Sequence, residues 1–304
     1  MPTLFLHSGL FKTGTTTLQK TFFDNRARLQ EQGVLYPLSG LSDHPGHWGH
    51  HSLAREMHGP HKARAAWTAL RAELETENVR TAFVSSEELS TLPLPTLPGL
   101  QPYTILKEVF DGWDIRILCY LRPQADYLAS LYNHHVKSVG ETGDIFGFLG
   151  RMAPRLDYDY YLNVAATALG PDAMIVRRYL PKGTDGAPFD IVDDVAKVID
   201  IDPGALQRAH RPLNPGLTER GVEKMLAANR RYSGDPDALQ KARQLILRLH
   251  RAAPFKSANP VGADMRKTLF ETYRLKNQHI ARRYMKERGD LFAPDDGSAP
   301  PLTD

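Results

Sequence analysis

The chain predicts an α/β domain with a central, mostly parallel sheet and a helical C-terminal part. Three observations carry this. The chain opens with a short apolar strand, a glycine- and threonine-rich turn and a helix, over residues 3–32. Four apolar strand candidates alternate with helical segments, the pattern of a parallel, doubly wound sheet. From about Pro188 onward the apolar spacing is helical.

Residues 3–8 (TLFLHS) form the first strand and GLFKTGTTT the turn after it. A helix from about Thr15 to Gln32 places Leu18, Phe22 and Leu29 on one side, with Gly33 as its stop. The segment 37–60 holds Gly40, Gly46, Gly49 and Gly59 among His44, His47, His50, His51 and His58, and reads as an irregular loop over the sheet edge. A helix over 61–78 feeds the strand RTAFVSS, which ends at Glu87 and Glu88; the proline-rich stretch that follows is a loop. DIRILCYLR, residues 114–122, reads as a buried parallel strand. The next helix sets Leu128, Leu131, Tyr132, His135 and Val139 at helical spacing. A helix over 158–169 ends at Gly170-Pro171, and DAMIVRR supplies the fourth strand. Helices over 218–230, 236–251 and 263–287 close the chain, giving one domain over 1–290 and a flexible tail over 291–304. Between Arg266 and Arg288 eight Lys/Arg face two Glu, which suits either a solvated helix face or a lid over an anion.

Composition narrows the function. The 304 residues are 41% hydrophobic and 24% charged, ordinary values for a soluble globular protein. A net charge of +3 gives no argument for a nucleic-acid partner, but it permits a local site for a small anion. Cys119 is the only cysteine and lies in an apolar run; it reads as a buried, inert thiol, with no disulfide and no thiolate metal site. The N-terminus lacks the basic region and cleavage pattern of a secretion signal, and no stretch reaches the roughly 20 apolar residues of a membrane span. The expectation is a cytoplasmic protein without integral membrane association.

The turn His7-Ser8-Gly9-Leu10-Phe11-Lys12-Thr13-Gly14-Thr15-Thr16-Thr17 has the chemistry of an anion cradle. Glycines allow backbone N–H groups to converge, and the helix start adds unpaired donors and a favourable dipole. Lys12 supplies a positive charge, and the threonines supply hydroxyls. The spacing departs from the Walker A pattern, because Phe11 precedes the lysine and the second glycine follows the Lys-Thr pair. A second element, Arg122-Pro-Gln-Ala-Asp-Tyr-Leu-Ala-Ser130, joins a strand end to a helix. Arginine offers a charged multi-donor fork to phosphate, and a hydroxyl completes such a site.

With these two motifs the chain resembles the 3'-phosphoadenosine-5'-phosphosulfate (PAPS) dependent sulfotransferases, especially their bacterial branch, whose phosphosulfate loop GLFKTGTT fits. The resemblance implies a P-loop-like, three-layer fold and transfer of a sulfuryl group from PAPS, with no metal. It implies that Phe11, Lys12, Thr13, Gly14, Thr15, Thr16 and Thr17 bind the 5'-phosphosulfate, with Lys12 steadying the leaving group. It assigns Arg122 and Ser130, eight residues apart, to the 3'-phosphate. FVSSEELS, and the closing helix with Asn277, are similar to the bacterial branch more loosely. The family's Gly-x-x-Gly-x-x-Lys motif is absent; Asn259-Pro-Val-Gly-Ala-Asp-Met-Arg-Lys267 is a partial substitute.

A hydroxyl acceptor needs a general base. Glu87, Glu88, His50 and His51 are the candidates, with Glu88 placed first and His51 second. The acceptor is a hydroxyl or amine of a carbohydrate or small molecule. Trp48, Trp67, Trp113 and the run Tyr158-Asp159-Tyr160-Tyr161 serve either its pocket or the core. Two other readings stay open: a P-loop kinase acting on a small molecule, and a non-catalytic nucleotide- or carbohydrate-binding protein.

Overall fold

A computed structural model describes residues 1–56, 60–91, 102–180, 189–208, 216–251 and 257–294. Five strands, β1 (Thr3–His7), β2 (Val34–Leu35), β3 (Thr81–Ser85), β4 (Asp114–Leu121) and β5 (Met174–Arg178), form one sheet. Its order is β2-β3-β1-β4-β5, and every pairing is parallel. Between and after the strands run α1 (Thr15–Asp24), α2 (Arg26–Glu31), α3 (His51–Glu56), α4 (Pro60–Thr76), α5 (Pro102–Val109), α6 (Gln124–His134), α7 (Ile145–Leu156), α8 (Tyr158–Leu169), α9 (Ile191–Val198), α10 (Glu219–Arg231), α11 (Pro236–Leu249) and α12 (Ala263–Ile280).

The two-residue period of the strands sorts the core into layers. Leu4, Leu6, Ala82, Val84, Ile117 and Cys119 point to one face, where they meet residues of α4, α5, α6 and α8. Phe83, Leu118 and Tyr120 point to the other, against Leu18 and Phe22 of α1 and Val192 and Val195 of α9. Helices therefore cover both faces of a sheet whose strands are mainly apolar. Trp67 is fully buried and packs edge-on against Phe110, which also meets Trp113; these two tryptophans belong to the core.

The four expected strands are present, and β2 is an addition too short to announce itself. The helix expected over 15–32 divides at Asn25, whose amide donates to Thr21 O and Gln207 O while its oxygen accepts from the Gln207 N–H. That side chain takes the place of a continuing helical bond and ties the break to a distant segment. The segment 37–60 is not wholly irregular, since α3 lies within it; His58 falls outside the described residues. The helix after β4 ends at His134 and continues as a π-helical turn, His135–Val139, which swings Val139 into solvent at 62% exposure instead of onto the core. The closing helix likewise ends at Ile280 and passes into a π-helical turn, Ala281–Met285. Its cations are engaged laterally: Arg266 with Asp126, Lys276 with Asp157, Arg274 with Asp290 and Arg283 with Asn163. These four of its eight cations dock the basic stretch on neighbouring segments. Residues 295–304 of the expected tail lie outside the described residues. Among the described residues no helix is long and apolar enough to cross a membrane.

Candidate functional site

Three parallel strands reach the same level of the sheet at His7, Ser85 and Leu118. From β1 the chain crosses to α1 on one face, while the connection after β4 crosses to α6 on the other. That divergence opens a crevice at the carboxyl ends of the strands, the usual ligand position in open parallel sheets.

The turn that fills the crevice is tightly wound. Gly9, Lys12 and Gly14 have φ of 39°, 68° and 83°. At Gly14 a side chain would meet Ile191 and Tyr179 at 3.2 and 3.3 Å, so both space and dihedral call for glycine. Thr13 is buried and its hydroxyl donates to Leu10 O at 2.7 Å, bracing the turn from beneath. Gly14 O accepts from the N–H groups of Thr17 and Leu18 as α1 begins. Among the described residues the N–H groups of Gly14, Thr15 and Thr16 have no protein acceptor, as expected at a helix start. The side chain of Thr15 is buried, whereas those of Thr16 and Thr17 are exposed. Phe11 is half-buried beneath the Arg155 guanidinium, 5.4 Å from its ring.

Arg122 sits one residue beyond β4, and its Nη1 donates to Lys12 O at 3.1 Å. Its own carbonyl accepts from Tyr158 Oη at 2.9 Å, and its Nε is buried with no partner among the described residues. The two motifs, 110 residues apart, thus meet in one place. Tyr161 of the same helix donates to or accepts from Ser8 at the start of the turn, so Tyr158 and Tyr161 frame the loop and strand end from the core. Ser130 lies half-exposed on α6 and, among the described residues, makes no hydrogen bond to Arg122 or the turn. One helical turn before it Asp126 accepts from Arg266 Nη2 at 2.8 Å, which brings the Asn259–Lys267 segment beside α6. A buried amide pair completes that seam: Gln124 Nε2 donates to Asn277 Oδ1 at 2.9 Å and Asn277 Nδ2 donates to Gln124 Oε1 at 3.1 Å.

The surroundings of Lys12 include two basic side chains that the sequence reading passed over, His134 and Lys137. Burial lowers the Lys12 pKa, the Arg122 charge lowers it further, and Glu87 opposes them. His134 is lowered to about 4 by burial and then by Lys12, Lys137 and His135. Lys137 is lowered to about 8, by burial first and then by Lys12. The Nδ1 of His134 is buried without a partner among the described residues. Ser130, His134 and Lys137 follow at i, i+4 and i+7, a helical face that was open to reading; attention to the apolar stripe hid it.

On the opposite side stand the carboxylates of the 3-10 turn Glu87–Thr91 that follows β3. Glu87 accepts from Gln19 Nε2 at 2.8 Å, and its charge acts on Lys12. Glu88 points elsewhere, accepting from Arg55 Nε at 3.3 Å, with His51 Nδ1 3.9 Å away. His51 is buried, with Nδ1 2.9 Å from Ser86 Oγ. His50 is fully buried; its Nδ1 accepts from the Ser85 N–H at 3.1 Å, so its Nε2 carries the proton and donates to Pro37 O at 3.0 Å. Both nitrogens are committed to backbone, and burial holds the ring neutral, its pKa lowered to about 4. Trp48 lies under the Lys20 ammonium, 4.8 Å away. Cys119 is buried beneath the turn, its thiol pushed up to about 12 by burial. Among the described residues no three His, Cys, Asp or Glu side chains gather as metal ligands.

Fold and site together define an α/β protein whose parallel sheet ends in a glycine-threonine turn joined to the arginine after β4. No protein-family model matches the chain, and no curated protein matches it. Among solved structures, a sulfotransferase from Alicyclobacillus acidocaldarius is similar over 80% of this chain and 96% of its own, at 15% identity and a TM-score of 0.43.

Proposed function

We propose that this protein transfers a sulfuryl group from PAPS to a hydroxyl or amine of a carbohydrate or small-molecule acceptor. The observation that carries the reading is the Arg122–Lys12 junction, in which a half-buried guanidinium, its Nε buried and unpartnered among the described residues, reaches the glycine-threonine turn. One phosphate motif bonded to another suits a ligand with phosphates at two positions, and charge-assisted donors are the strong binders of such groups. Phe11, Lys12, Thr13, Gly14, Thr15, Thr16 and Thr17 take the 5'-phosphosulfate, and Arg122 with Ser130 takes the 3'-phosphate.

In this reading the acceptor oxygen attacks sulfur in line, the bond from sulfur to the phosphate oxygen breaks, and 3'-phosphoadenosine-5'-phosphate (PAP) leaves. Lys12 and the N–H groups at the start of α1 meet the charge that grows on the departing oxygen. The acceptor proton goes to a carboxylate. The sequence expectation of Glu88 gives way here to Glu87, because Glu88 is engaged by Arg55 while Glu87 shares its field with Lys12. His51, whose Nδ1 is engaged by Ser86 with Glu88 3.9 Å away, is less suited.

Calorimetry with PAP, ADP and ATP, with and without magnesium, tests the reading. Metal-independent binding that requires the 3'-phosphate is expected. Preference for magnesium-ATP would favour the kinase, and binding of PAP without turnover of PAPS would favour a non-catalytic protein.

A further inference from the structure

Gln19 projects from the second turn of α1 into a place where nothing about its side chain is left to choice. It is buried, and both hydrogens of its Nε2 are used, toward Glu87 Oε2 at 2.8 Å and Ser85 Oγ at 3.3 Å. A carboxylate only accepts, so the bond to Glu87 fixes which end of the amide is nitrogen. Ser85 Oγ accepts from Gln19 and also shares a hydrogen bond with His7 Nδ1, 2.8 Å away. His7 is fully buried, and burial lowers its pKa to about 3, so the ring stays neutral. The amide is closed in from above by Gly49. A Cβ there would stand 2.6 Å from Gln19 Nε2 and 2.7 Å from Cδ, and 2.8 Å from His51 Nε2.

We infer that Gln19 is the positioning residue of the acceptor site: locked by Ser85 and by the gap at Gly49, it holds Oε2 of Glu87 and leaves Oε1 to take the acceptor proton. The inference rests on the sulfuryl-transfer reading with Glu87 as the base. In the step it serves, the acceptor O–H proton moves to Glu87 Oε1 and the released electron pair forms the oxygen–sulfur bond. The bond from sulfur to phosphate breaks with its pair on the phosphate oxygen. Gln19 itself makes no bond to either substrate.

The test is a double-mutant cycle on PAP release from PAPS, run with a panel of phenol, alcohol, sugar and amine acceptors. Gln19→Leu is expected to lower turnover at least tenfold while PAP affinity, measured by calorimetry, stays within twofold. In a Glu87→Gln background the same change should cost nothing more, because its effect passes through Glu87. Gly49→Ala, which displaces the amide without removing it, should reproduce the loss. Full turnover in Gln19→Leu, or a loss that adds to that of Glu87→Gln, overturns the inference. Should wild type turn over no PAPS at all, the sulfotransferase reading fails by itself, and the clamp is judged from the Gln19 side-chain NH2 in nitrogen-15 spectra. Slow exchange of those hydrogens, released by Glu87→Ala, upholds the clamp; exchange at the rate of a free amide overturns it.

Discussion

Lys12 adopts φ 68°, a conformation that costs a side-chain-bearing residue about 1–2 kcal/mol relative to the ordinary helical region. It also sits half-buried beside the Arg122 charge, which lowers its pKa along with burial. In the proposed reading, strain and like-charge contact at this residue serve the bound phosphosulfate rather than stability. Lys12→Gly is therefore expected to leave stability unchanged or to raise it by about 1 kcal/mol, while turnover of PAPS falls at least a hundredfold; chemical denaturation and PAP release read the two effects separately. The lysine itself was legible in sequence, as were Arg122 and the threonines, because glycine spacing and charge announce them. The choice between Glu87 and Glu88 was not. Adjacent carboxylates look alike in a sequence, and a 3-10 turn turns one toward Gln19 and the other toward Arg55. Gln19 was hidden for a similar reason, since its partners come from β3 and the turn after it, 66 and 68 residues away.

At the scale of elements, α6 is the member that joins the site to the helical half. It begins just after Arg122, carries Ser130 and His134, and meets α12 through the Gln124–Asn277 amide pair. Gln124→Leu strands the Asn277 amide in a buried seam and should cost about 1–3 kcal/mol of stability. Adding Asn277→Leu should recover much of that loss, because two apolar partners leave nothing unsatisfied. Urea unfolding of the single and double variants checks both statements. Four of the five strands were readable because each has an apolar run bounded by turn residues, whereas the two-residue β2 was not. Helix ends were less so: the break at Asn25 depends on Gln207, and the π-helical turns after α6 and α12 depend on how those helices dock. Those partners are tertiary, and local periodicity carries no trace of them.

The whole molecule has a pH signature set by its buried histidines. His7 and His50 are fully buried and neutral, lowered from 6.5 to about 3 and about 4. In the unfolded chain both take up a proton near 6.5, so below that pH the unfolded state binds more protons than the folded one. Stability is thus intact above about 6.5 and falls with acidification, by up to about 1.4 kcal/mol per pH unit per histidine, until the folded values are reached. Urea midpoints at pH 7 and pH 5 should show the drop, and His50→Gln should flatten it; an unchanged slope in that variant would mean that His50 is charged or mobile in the folded state.

In the proposed reading, the turn at the carboxyl edge of the sheet and the arginine beside it take the two separated phosphates of one ligand. The most direct test is calorimetry of PAP against ADP for wild type and Arg122→Ala, without metal. Wild type is predicted to bind PAP at micromolar concentration and ADP far more weakly, and Arg122→Ala to lose the difference. Equal affinity for PAP and ADP in wild type, or a preference for the 3'-phosphate that survives Arg122→Ala, would contradict it.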